Sequence, residues 1–182
     1  MLKLLQELVK TGDATTKYPF VPPPAKPGVR GKPEFAGPRC IACAACTIAC
    51  PANALTMETD AKAGTRNWQL DLGRCIFCAR CEEVCPTGAI VLSDNFELSV
   101  RKREDLLMTA EFTLTNCRSC ETPFAPAKEV NYVIALLIRA GMPWDEAESR
   151  RALFESCPAC RRRADVERHC QTTMLPQAEP MR

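Results

Sequence analysis

The sequence predicts an α+β fold in which a duplicated, cysteine-rich unit of short helices and strands is preceded by an amphipathic helix with an extended arm and followed by a small helical four-cysteine domain. Three observations predict it. Four cysteines and a proline recur in one pattern, at Cys40–Pro51 and Cys75–Pro86; two CxxC knuckles follow, at Cys117/Cys120 and Cys157/Cys160; and the N-terminal residues sort onto two faces of a helix. The 182 residues are 46% hydrophobic and 25% charged, an ordinary balance for one or two small domains, but only 6% aromatic. A core so poor in large side chains needs metals or disulfides, and thirteen cysteines are present to supply them.

Disulfides require an oxidising compartment. The segment MLKLLQELVKTG interrupts its apolar residues with Lys3, Glu7 and Lys10 and lacks the apolar region and small-residue cleavage site of a secretory signal. An odd number of cysteines at two-residue spacing also suits a disulfide framework poorly. Metal ligation in a reducing cytosol is therefore expected.

Each repeat, CIACAACTIACPANAL from Cys40 and CIFCARCEEVCPTGAI from Cys75, reads CxxCxxCxxxCP. Zinc favours paired CxxC knuckles, whereas this run is the bacterial pattern for [4Fe–4S] clusters, whose fourth cysteine ligates the other cluster. Three thiolates from one tight loop cap three corners of a cubane, and the small Ala42, Ala44, Ala45 and Ala49 let backbone approach it. Cys50 lies about one helical turn beyond Cys46 and so points to the neighbouring cluster. The expected ligand sets are Cys40, Cys43, Cys46 and Cys85 for cluster one, and Cys75, Cys78, Cys81 and Cys50 for cluster two.

Pro51 and Pro86 stop the short helices and turn the chain into the apolar runs ALTM and AIVL, read as strands. Leu55 and Met57 then alternate against Trp68, Leu70 and Leu72 across a Gly-containing turn, a predicted hairpin. Phe96, Leu98 and Val100 alternate again, and REDLLMTAEF reads as a short helix. No GxGxxG or P-loop accompanies the cysteines, and the only histidine, His169, sits in a polar region beside Cys170, to which no role is assigned. With all eight cluster cysteines present and no open coordination position, no catalytic residue is expected and the chain reads as an electron conductor.

The knuckles TNCRSC and FESCPAC, 36 residues apart, suit a closed four-cysteine site at Cys117, Cys120, Cys157 and Cys160 that holds a structural Zn2+. Rubredoxin-like iron is the rival; the glycines that usually follow such knuckles are absent. Between the knuckles, AKEVNYVIALLIRAGM carries an apolar face ending at Gly141, and PWDEAESRRALFES starts a second helix at Pro143. Arg161, Arg162 and Arg163 form the only compact basic cluster nearby, and a net charge of +2 is small for a nucleic-acid protein. Each filled metal–thiolate site carries about −2, so three would take +2 to about −4, and nucleic acid is not an expected partner.

At about 100° per residue, Met1, Leu2, Leu4, Leu5, Leu8 and Val9 share one arc opposite Lys3, Gln6, Glu7 and Lys10. This helix is too short to span a bilayer and is expected to lie on lipid headgroups, on a membrane subunit or on its own domain. The proline-rich KYPFVPPPAKPGVRGKP reads as an extended arm made to contact neighbouring subunits, and QTTMLPQAEPMR as a tail without periodicity. The expected divisions are 1–33 for helix and arm, 34–110 for the two-cluster ferredoxin-like domain, 111–170 for the knuckle domain and 171–182 for the tail.

From Lys17 to Met108 the chain resembles the polyferredoxin-like subunit shared by respiratory complex I and the membrane-bound [NiFe] hydrogenases, including formate hydrogenlyase. KYPF, PGVRGKP, CIACAACTIACPANALTMETD, CIFCARCEEVCPTGAI and NFELSVRKREDLL carry the resemblance. Complex I versions lack the knuckle domain and the formate hydrogenlyase subunit has it, which extends the resemblance over nearly the whole chain. Ala79 stands where the family often has glycine. The resemblance implies electron transfer from a formate dehydrogenase-linked polyferredoxin to the small and large subunits of a [NiFe] hydrogenase for H2 production. It also implies contact with membrane-arm subunits at the cytoplasmic face of the inner membrane, as a peripheral protein. The alternatives are a complex I-type quinone-arm subunit, a free two-cluster ferredoxin and, from another class, a zinc-dependent binding protein.

Overall fold

The computed structural model describes residues 2–12, 17, 18, 20, 21 and 28–173. The chain starts with helix α1 (Leu2–Thr11), where Leu4, Leu5, Leu8 and Val9 are all exposed. Much of the proline-rich arm, positions 22–27 above all, lies outside the described residues. Its ends are fastened: the Tyr18 hydroxyl donates to Glu97 Oε2 at 2.6 Å, and the Gly31 amide donates to the Ser93 carbonyl at 2.7 Å. A Cβ at Gly31 would sit 2.4 Å from the Asn95 carbonyl oxygen, so this close approach requires glycine.

The duplication is visible in the backbone. In the first repeat a cysteine loop leads into α2 (Ala45–Ala49) and on to β2 (Leu55–Asp60); in the second the loop leads into α3 (Arg80–Val84) and β4 (Ile90–Leu92). Ala42 and Ala44 have φ 55 and 64, and their counterparts Phe77 and Ala79 have φ 54 and 67. Cys50 and Cys85 cap the two helices in extended conformation, as a residue before proline must.

Strand β1 (Pro33–Phe35) pairs antiparallel with β4, and β2 pairs with β3 (Thr65–Asp71) as the expected hairpin. Its turn is held by Asp60 Oδ1, which accepts from the Lys62 and Ala63 amides, and by Gly64 at φ 68. Leu55, Trp68, Leu70, Leu72, Ile90 and Phe112 form the core, with cysteines of both repeats packed against it.

The segment from Arg103 corrects the expectation of a helix. Only Arg103–Leu106 makes a helical turn, of the 3-10 type, and β5 (Leu107–Asn116) follows as a strand against β3, in register from Asp71↔Leu107 to Thr65↔Thr113. Met108, Ala110, Phe112 and Leu114 alternate inward, and the open edge of β3 offers a ladder that local helix propensity cannot match. Phe96, Leu98 and Val100 join no strand; Leu98 packs on the core and the other two are exposed.

β6 (Pro123–Pro126) adds to β5, completing a four-stranded sheet in the order β2-β3-β5-β6 that runs through position 110 into the four-cysteine lobe. Helix α4 (Ala127–Arg139) buries Val130 and Ile134 and ends before Gly141 at φ 97, as expected. The second helix is two, α5 (Trp144–Ser149) and α6 (Arg151–Phe154), meeting at Arg150. Helix α7 (Pro158–Thr173) continues past the second knuckle into the segment read as tail; residues 174–182 lie outside the described residues. No helix among the described residues is long and apolar enough to cross a membrane.

Candidate metal centres

All thirteen cysteines are free thiols, and twelve of them gather in three places. Cys50, Cys75, Cys78 and Cys81 line one small cavity with Pro33 and Leu70. Cys40, Cys43, Cys46 and Cys85 form the other group in the repeats, close enough to act on one another's ionisation. Each group takes three thiols from one loop and its fourth from the other repeat.

The backbone serves the two groups almost equally. The Ala42 amide donates to Cys40 Sγ and the Phe77 amide to Cys75 Sγ, both at 3.4 Å. The amides of Ala54 and Ala89 reach Cys50 and Cys85 Sγ at 3.3 and 3.2 Å. Positive φ at Ala42, Ala44, Phe77 and Ala79 folds the loops so that their amides face inward, the arrangement that binds anions.

Burial pushes the Cys40, Cys46 and Cys75 thiols up, with neighbouring cysteines adding to the effect. Cys81 is pushed up to about 11, mainly by burial and further by Cys75 and Cys46. At Cys85 burial again opposes ionisation, but the amides of Thr87, Ala89 and Ile90 and the Thr87 hydroxyl outweigh it and lower the thiol. Trp68 is buried at 1% exposure, and its Nε1–H has no hydrogen-bond partner among the described residues. It lies beside Cys46 and counteracts the effect of burial there. Buried thiols with inward amides and an orphan donor fit an anionic, sulfur-rich group. The N–H lacks an acceptor that such a group would supply.

In the third place, Cys117, Cys120, Cys157 and Cys160 bring their sulfurs within 4.8 Å of one another, so a separate four-cysteine metal site exists. Cys117 directly follows β5 and is 1% exposed, Cys120 is in the turn before β6, and Cys157 and Cys160 flank the start of α7. The Cys157 amide donates to Cys117 Sγ at 3.1 Å and the Ser119 amide at 3.4 Å; the first of these leads in drawing Cys117 down to about 6. Cys160 is driven up to about 12, chiefly by proton sharing with Cys120 and Cys157. Four thiols so crowded cannot all ionise without a cation, and a divalent metal removes that conflict. Glu121, after Cys120, has φ 59, the conformation usually supplied by the missing knuckle glycine.

Sequence reasoning treated Trp68 only as a hairpin core residue and gave Arg66 no role. Arg66 donates to the Ala42 carbonyl at 2.8 Å and the Phe124 carbonyl at 3.2 Å, and pairs with Glu129 at 3.6 Å. Lys128 Nζ donates to the Pro38 carbonyl, and Tyr132 to the Pro86 carbonyl, both at 3.2 Å. α4 is thereby tied to the chain just before Cys40 and just after Cys85, both members of the first group. None of these contacts has a sequence signature, because all but the Arg66–Glu129 pair reach a carbonyl oxygen and that pair joins residues 63 positions apart.

Residues 39–89 match the family model of the 4Fe-4S dicluster domain. Over 162 residues, 89% of each chain, the protein is 52% identical to formate hydrogenlyase subunit 6 of Escherichia coli (strain K12). The chain belongs to the formate hydrogenlyase subunit 6 family. A solved structure of a membrane-bound sulfane sulfur reductase, an archaeal respiratory membrane complex, is similar at 30% identity over 57% of this chain and 56% of that one, with a TM-score of 0.43. As a member of the formate hydrogenlyase subunit 6 family with a 4Fe-4S domain at its centre, the protein is an iron–sulfur electron-transfer subunit.

Proposed function

We propose that the chain carries two [4Fe–4S] clusters and relays electrons from a formate dehydrogenase module to a membrane-bound [NiFe] hydrogenase in a formate hydrogenlyase-type complex. The observation that carries this is the crossed gathering of the eight repeat cysteines, seen within a chain 52% identical to a formate hydrogenlyase subunit. Cys40, Cys43, Cys46 and Cys85 hold cluster one; Cys75, Cys78, Cys81 and Cys50 hold cluster two. When bound, such clusters supply one-electron transfer. The protein ligates every corner and supplies amides to the sulfurs, with no position left for a substrate, so catalysis belongs to its partners.

The four-cysteine site is structural and holds Zn2+. With Zn–S bonds of about 2.3 Å a tetrahedron places its sulfurs about 3.8 Å apart; Cys120 and Cys157 Sγ lie 3.7 Å apart. The helix and arm at 1–33 dock the subunit at the cytoplasmic face of the inner membrane, against the hydrogenase subunits, the linked polyferredoxin and the membrane arm. The exposed apolar face of α1 supports this, as do exposed Ile48 and Ile76 beside the two cysteine loops.

Metal analysis of the anaerobically purified complex, with its subunits identified, tests the proposal. About eight irons and one zinc are expected in this chain, beside hydrogenase and formate dehydrogenase subunits. Nine irons without zinc would make the four-cysteine site rubredoxin-like; fewer than about six would contradict two cubanes. Complex I subunits in place of hydrogenase would overturn the assignment.

A further inference from the structure

We propose that Trp68 and Thr87 raise the reduction potential of cluster one above that of cluster two, so that the group held by Cys40, Cys43, Cys46 and Cys85 is where an electron comes to rest in this subunit. This inference rests on the two-cluster reading above.

The argument comes from comparing the repeats at their offset of 35 residues, which carries Cys40 onto Cys75 and Cys50 onto Cys85. Backbone donors match: Ala42 against Phe77, and Ala54 against Ala89, within 0.1 Å of each other in reach. Side-chain donors do not match. The counterpart of Trp68 is Pro33, which lines the cavity of the second group and has no N–H at all. The counterpart of Thr87, whose Oγ1 is 3.7 Å from Cys85 Sγ, is Ala52, which lines the same cavity. Both extra donors therefore serve the first group alone. Trp68 is held for the task by burial and by stacking on Phe35, with ring centroids 4.0 Å apart and planes at 15°.

One-electron reduction adds a negative charge spread over the sulfurs, and a donor to sulfur stabilises the more negative form more than the oxidised one. The electron stays on the cluster and no proton moves. Cations approach both loops: Arg66 and Lys128 reach carbonyls around the first, and Arg30 reaches the Cys78 carbonyl at 3.5 Å in the second.

The test is a potentiometric titration of the full, anaerobically loaded chain followed by paramagnetic resonance, with dithionite as reductant. The unaltered chain should show about eight irons and two one-electron waves; about four irons would fail the two-cluster reading independently of this inference, whereas a single wave at about eight irons would mean equal potentials and overturn this proposal. Trp68→Phe keeps the stack and removes the N–H. One wave should then become about tenfold harder to reduce, a shift of about 59 mV to more negative potential, while the other stays in place at full iron content. Thr87→Ala should move that same wave in the same direction by less. Unmoved waves, a positive shift, or equal movement of both would overturn the proposal. Should Trp68→Phe load poorly, the unaltered chain labelled with indole-15N tryptophan still decides: pulsed resonance should detect nitrogen coupling on the higher-potential cluster alone. Absence of that coupling, or its appearance on the lower-potential cluster, would refute the role of Trp68, because the other tryptophan, Trp144, is 64% exposed on α5.

Discussion

Cys50 and Cys85 occupy equivalent places, each capping a short helix in extended conformation just before a proline, and each lies with the triplet of the other repeat. Crossed ligation has a consequence that separates it from a site per repeat. Cys85→Ala should damage only cluster one, leaving a cubane that loses its unligated iron and gives a three-iron resonance signal beside one ordinary cluster. Combined with Cys43→Ala it should still leave one intact cluster; combined with Cys78→Ala it should leave none. The inverse pattern would assign each repeat its own cluster. A second residue-level expectation concerns Ala79, held at φ 67. Left-handed backbone costs a non-glycine residue about 1–2 kcal/mol, while glycine adds about 0.5–1 kcal/mol of unfolded-chain freedom. Ala79→Gly should therefore keep both clusters and slow their thermal loss slightly; faster loss would show that the methyl group is needed in the cavity it lines. The repeats and knuckles made twelve cysteines candidates through local spacing, and the structure gathers those twelve in three places. Trp68 was legible only as a core residue, since the sulfur it faces is 22 positions upstream, and only alignment of the repeats exposes Pro33 as its counterpart.

At the scale of elements, α1 and β5 show what periodicity can and cannot decide. α1 was readable because its apolar arc is set within the helix itself. β5 was misread because Leu106, Leu107 and Met108 suit either structure, and the free edge of β3, distant in sequence, made the choice. Once β5 is a strand, Cys117 is delivered at its end and Arg66 faces Phe112 across the ladder, so the error had hidden the continuity of the sheet. The exposed face of α1 gives a direct prediction. Leu5 and Leu8 are 59% and 62% exposed, so changing both to Asp removes little packing within the chain. The double variant should leave the membrane fraction while both cluster signals persist. Unchanged co-sedimentation with membranes would reject docking through this helix.

Across the whole molecule, the four-cysteine site and the clusters share a frame, and the frame has a strong part and a weak one. The strong part is the β3–β5 ladder, which holds β5 to the hairpin without help from the four-cysteine site. The weak part is the set of polar ties from α4 and the arginine beneath it: Lys128 to Pro38, Tyr132 to Pro86, and Arg66 to Ala42 and Glu129. α4 keeps its position because β6 and α6, which pack near it, are fixed by Cys120 and Cys157 at their ends. Cys157→Ser should therefore cost the four-cysteine site its metal and expose residues from 117 onward to limited proteolysis, since a structural metal site contributes directly to folding. Both clusters should still assemble on the intact hairpin core. Their resistance should diverge, however, because Lys128, Glu129 and Arg66 act around the loop of Cys40–Cys46 and the Tyr132 tie at Pro86 falls beside Cys85, so these ties all serve cluster one. On exposure to an iron chelator, cluster one of this variant should lose iron faster than in the unaltered chain while cluster two keeps its rate. Equal acceleration of both would mean that the four-cysteine lobe supports the core as a whole, and no acceleration would mean that the α4 ties are dispensable.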